Sequence, residues 1–107
     1  MTVISPFTPI GSTKHITVAG TSASVALPVR DSATGAWGSR TVRVCNRASE
    51  TVFIEFGIDT VAAVVATSLP ILPGSVEFLE INSKNTHVAA IGTGATGTID
   101  FTEGEGN

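Results

Sequence analysis

Short alternating runs of β-formers, broken at regular intervals by turn residues, leave this chain few folds to choose from. Between residues 14 and 102, segments rich in Val, Ile, Thr, Ala and Phe alternate with Gly, Pro, Asn and Asp. Residues 14–19 set Ile16 and Val18 on one face and Thr17 on the other. After Gly20-Thr21, residues 22–27 set Ala23, Val25 and Leu27 against Ser22, Ser24 and Ala26, so the two runs predict a hairpin. Residues 41–45, with Val42 and Val44 inward, and 51–56, with Val52, Ile54 and Phe56 on one face, predict a second hairpin around the turn 46–50. Residues 75–81 carry apolar groups on both faces, which predicts a strand covered on both sides, as at a subunit contact. Residues 86–91 and 98–102, the latter with Ile99 and Phe101 inward, complete the series. Residues 61–67 (VAAVVAT) read as a strand or an extended loop, because three valines oppose a helix. Seven to eight strands spaced by roughly ten residues predict an all-β fold, an antiparallel β-sandwich or jelly roll. A parallel α/β sheet would need helices of roughly 10–15 residues between strands, and no segment suits one.

The flanks differ from the centre. Residues 1–13 (MTVISPFTPIGST) predict an extended arm, since Pro6 and Pro9 remove backbone donors and disfavour helix before them. Val3, Ile4, Phe7 and Ile10 make that arm too apolar for a free tail, so it lies on its own domain or on a neighbour's, and the four are candidate partner contacts. Residues 14–102 then form the sandwich domain, and 103–107 (EGEGN) read as a flexible acidic tail. The loop 31–39 is Gly-rich and holds the single tryptophan, Trp37, either as a lid on the core or as a partner contact.

Charge narrows the partners. Only 14% of the 107 residues are charged and the net charge is −3, whereas phosphate backbones call for clustered Lys and Arg. Arg40 and Arg43 read as the outward face of a strand and its flank, or as a contact for an acidic partner surface. The lone Cys45 excludes an intrachain disulfide, fits a reducing compartment, and sits in an apolar pattern that predicts burial. The longest apolar-rich stretch, 61–66, is far short of the roughly 20 residues of a membrane span, and the N-terminus has no secretory pattern. These features predict neither a nucleic-acid nor a membrane partner.

Catalytic chemistry finds little footing. His15 and His87 stand near opposite ends of the chain, each beside a threonine, and read as surface or core-edge residues. Two histidines and one cysteine do not make a zinc site, so neither a metal nor another cofactor is expected. Gly92-Thr93-Gly94-Ala95-Thr96-Gly97 spells G-x-G-x-x-G, but a strand follows it where a dinucleotide site needs a helix. Gly97-Thr98-Ile99-Asp100 resembles a strand motif of trimeric dUTPases, yet the chain has no tyrosine to stack on a nucleoside. The expectation is a protein that is not an enzyme.

Over residues 14–106 the order of segments resembles small all-β proteins encoded among the virion genes of tailed bacteriophages. The resemblance rests on Val42-Arg43-Val44-Cys45-Asn46, Val52-Phe53-Ile54-Glu55-Phe56-Gly57, Pro70-Ile71-Leu72-Pro73-Gly74-Ser75, Thr86-His87-Val88-Ala89-Ala90-Ile91 and Gly97-Thr98-Ile99. It implies a virion structural protein, a capsid decoration or cement protein, made in the host bacterial cytoplasm. Its implied partners are the major capsid protein or another virion protein, and further copies of itself in a homo-oligomer. A carbohydrate-binding β-sandwich that helps a virion adhere to its host is the alternative, with Trp37 as its aromatic platform.

Overall fold

A computed structural model of the chain describes residues 7–9, 12–27, 39–82 and 84–105. The described residues form nine strands and no helix: β1 (Thr8–Pro9), β2 (Lys14–Val18), β3 (Ala23–Ala26), β4 (Ser39–Asn46), β5 (Val52–Gly57), β6 (Leu69–Ile71), β7 (Val76–Asn82), β8 (His87–Ile91) and β9 (Gly97–Glu105). The larger sheet runs β1-β9-β4-β7, with β2 also on β9, and the smaller sheet runs β3-β8-β5-β6. Every pairing is antiparallel. The fold is an all-β, antiparallel β-sandwich.

Pairing is nested. β2 pairs β9, β3 pairs β8, β4 pairs β7 and β5 pairs β6. The chain is thus one long two-stranded ribbon, its tip between β5 and β6, folded over so that successive stretches fall in alternate sheets. The two hairpins expected from the sequence do not form. β2 and β3 lie in different sheets, as do β4 and β5. Their apolar faces meet through the core: Ile16, Val18, Val42 and Val44 from one sheet face Leu27, Val52, Ile54, Val88 and Ala90 from the other, closed by Ile71, Ile81, Ile99 and Phe101. An arch that brings two apolar faces together buries both, whereas a hairpin of the same runs would only align them side by side.

Asn46 makes the second arch. It is fully buried at the end of β4. Its Nδ2 donates to the carbonyls of Ile71 (2.9 Å) and Glu50 (3.1 Å), and its Oδ1 accepts from the Ala48 N–H (2.8 Å). Backbone polar groups stranded where the chain changes sheet are thereby satisfied. Gly97, at φ +138°, faces this corner: a Cβ there would lie 2.8 Å from the Ala48 Cα.

Of the two readings of 61–67, the extended loop is the one that forms, a strap over the outer face of the smaller sheet. The Ala63 N–H donates to Ser22 Oγ (2.9 Å), and Ser68 Oγ donates to Glu55 Oε1 (2.9 Å). Ser22 precedes β3 and Glu55 lies on β5, with Ala89 of β8 between Ser24 and Glu55 in register. The strap explains why Ala89, on the outer face, has no exposure. Within 75–81, Leu79 and Ile81 turn inward, while Val76 and Phe78 are exposed at the sheet edge, with Phe7 against Phe78. Residues 103–105 belong to β9 and are not part of a mobile tail, and Glu103 is buried. On the arm, Thr8 and Pro9 pair with Glu105 and Gly104 of the same chain, so this portion lies on its own domain.

Candidate functional site

Alternation along the strands decides what the outer face of the larger sheet presents. With Ile16, Val42, Val44, Ile99 and Phe101 turned inward, His15, Arg43, Cys45, Asp100, Thr102 and Phe78 turn outward. Register sets them in rows. His15, Asp100, Cys45 and Val76 lie side by side across β2, β9, β4 and β7. In the next row Thr102, Arg43 and Phe78 are neighbours.

Asp100 is the electrostatic centre of this face. His15 Nδ1 lies 2.6 Å from its Oδ1, and Arg47 reaches it with Nε at 2.5 Å from Oδ2 and Nη2 at 3.1 Å from Oδ1. The Asp100 side chain is 14% exposed, against 57% for His15 and 56% for Arg47. Burial alone would raise the Asp100 pKa. The hydrogen bonds from Arg47 and then His15, with the charges of both, outweigh it and hold the carboxyl below its ordinary range. The bond to Asp100 in turn raises the Arg47 guanidinium.

This trio is a clasp more than a reaction centre. Nucleophilic catalysis needs the imidazole between a nucleophile and an orienting acid. Here the carboxylate is in the middle, bonded to the Arg47 guanidinium on one side and the His15 ring on the other. Cys45 neighbours Asp100 on the far side from His15, two strand spacings or about 10 Å away. His87 lies in the smaller sheet, its Nδ1 2.8 Å from the Thr86 hydroxyl. No group of three or more His, Cys, Asp or Glu able to hold a metal occurs among the described residues, and no helix among them could cross a membrane.

Of the residues marked from sequence, Phe7 and Arg43 come together. Phe7 is half-buried, its ring set edge-on to Phe78 with centroids 5.3 Å apart, and Arg43 is the cross-strand neighbour of that same Phe78. Arg40 stands on β4 opposite Ile81. Val3, Ile4, Ile10 and Trp37 lie outside the described residues. Cys45, expected in the core, is only half-buried because it alternates with Val44 and so faces out. The clasp and Asn46 escaped sequence reading. The clasp joins residues 85 and 53 positions apart, so only the β2–β9 pairing reveals it.

No family model, no curated protein and no solved structure matches this chain.

Proposed function

We propose that this chain is a non-enzymatic structural protein of a tailed-bacteriophage virion, a capsid decoration or stabilising protein that binds across capsid subunits as a homo-oligomer. The observation that carries the reading is the nested pairing of β2 to β9, β3 to β8, β4 to β7 and β5 to β6. A long ribbon wrapped this way over two sheets supports a jelly roll, a form used by viral capsid domains. Fold alone does not assign function. The surface supports the same reading. Leu69, Leu72, Val76 and Phe78 are exposed along the side of the sandwich where β6 and β7 are the edge strands, on a chain of low charge. Such a surface suits contact over area, and specific interfaces bury roughly 1,600 Å² in total. The partner proposed is the major capsid protein or a neighbouring virion protein, met after synthesis in the host cytoplasm.

The test is direct. Purified protein added to capsids that lack it should bind at a fixed stoichiometry set by capsid symmetry. Peptides of the chain should appear in the mass spectrum of purified virions, and their absence would remove the proposal.

A further inference from the structure

Among the described residues β7 is the longest edge strand of the sandwich, and two glutamates are its only charges. Natural edge strands are kept short or carry Pro or Lys to prevent pairing with another chain. β6 has three residues and Pro70, β3 has four residues, and β2 begins with Lys14. β7 has seven residues (VEFLEIN), with no proline, lysine or arginine. It ends its sheet, with β4 on one side and no described strand on the other.

The phase of its hydrogen bonds follows from one contact. The Asn46 N–H donates to the Ser75 carbonyl (3.0 Å), in the same register that pairs Cys45 with Val76. Antiparallel ladders alternate, so Glu77, Leu79 and Ile81 turn their backbone groups to β4. Val76, Phe78, Glu80 and Asn82 turn theirs to the open edge.

We propose that β7 is a self-association seam, where a second copy of this chain pairs its own β7 antiparallel about a two-fold axis through Leu79. Only residues of the outward set can exchange hydrogen bonds, and this register uses all of them. Val76 meets the second copy's Asn82, and Phe78 meets its Glu80. Glu77 then faces the second copy's Ile81, so no acid directly opposes an acid. Leu79 meets its own counterpart in a non-hydrogen-bonded pair, where side chains come closest, and the half-buried leucines extend the core across the seam.

Charge complementarity favours a second copy over a foreign strand. Arg43 is half-buried beside Phe78 and forms no ion pair among the described residues. In this register the second copy's Glu80 enters the row of Arg43 and Phe78 on the same outer face, about 10 Å away between Cα atoms. Two long side chains close that distance across the ring. The two-fold axis makes the contact twice.

The seam rests on the strand edge and not on the virion reading, so each can fail without the other. Multi-angle light scattering of the purified chain from micromolar to about millimolar concentration should show a concentration-dependent species of twice the chain mass. Glu80→Pro removes one outward donor without touching the β4 ladder, and Glu80→Lys sets two cations in one row. Each should weaken the dimer by about 100-fold while circular dichroism stays that of the sandwich. In a Cys45→Ser background, Leu79→Cys should oxidise to a covalent dimer at least about tenfold faster than Leu72→Cys, since the paired Cα atoms would lie about 4.5 Å apart. A monomer at every concentration overturns the proposal. So does a dimer that both Glu80 variants leave intact, or equal cross-linking at Leu79 and Leu72.

Discussion

Single residues carry the bends and the clasp. Asn46 satisfies three backbone groups where the chain crosses between sheets, so its loss leaves buried carbonyls and an amide unpaired. Asn46→Ala should cost roughly 2–4 kcal/mol in urea denaturation, and a loss below about 1 kcal/mol would show the arch to be held otherwise. Asp100 predicts a pH dependence. Its folded pKa is depressed by Arg47 and His15 against the effect of burial, so just below its unfolded pKa the unfolded chain binds more protons. Its contribution is therefore fully present above about pH 4, the unfolded value, and fades as pH falls through the lower folded one. Asp100→Asn should flatten the acid limb of the stability curve relative to wild type. An identical limb would mean that the clasp adds nothing to folding.

At the level of elements, the strands were legible and their partners were not. Period-two alternation located the runs around Val42 and Val44, Ile54 and Phe56, and Ile99 and Phe101, because a buried face repeats every second residue. Adjacent runs joined by a short turn suggest a hairpin, whereas Asn46 and Gly97 shape a corner that sends the next run to the other sheet. The strap at 61–67 was ambiguous for a related reason. Its valines Val64 and Val65 are exposed and its anchors are Ala63 and Ser68, whose partners Ser22 and Glu55 lie on other elements. The outward rows of the larger sheet depended on register, so Phe7 and Arg43 could be marked but their meeting at Phe78 could not. Beneath the strap there is room only for a small side chain at Ala89. Ala89→Leu should destabilise by about 1–3 kcal/mol and make residues 61–68 the first site of limited proteolysis. Unchanged stability and cleavage would place the strap elsewhere.

The whole molecule is a ribbon whose first strands find their partners last in sequence. His15 and Asp100 are 85 residues apart, and the arm pairs at Thr8 with Glu105. Folds dominated by such pairings form slowly, in milliseconds to seconds, and stopped-flow refolding should fall in that range. Refolding in microseconds would contradict the nested topology. The proposed binding across capsid subunits rests on an exterior of low charge and on the exposed apolar residues beside β6 and β7. The most direct test of that claim is cryo-electron microscopy of capsids purified with and without the chain. The account predicts added two-sheet density at symmetry-related positions spanning neighbouring capsid subunits. Indistinguishable reconstructions at saturating protein would contradict it.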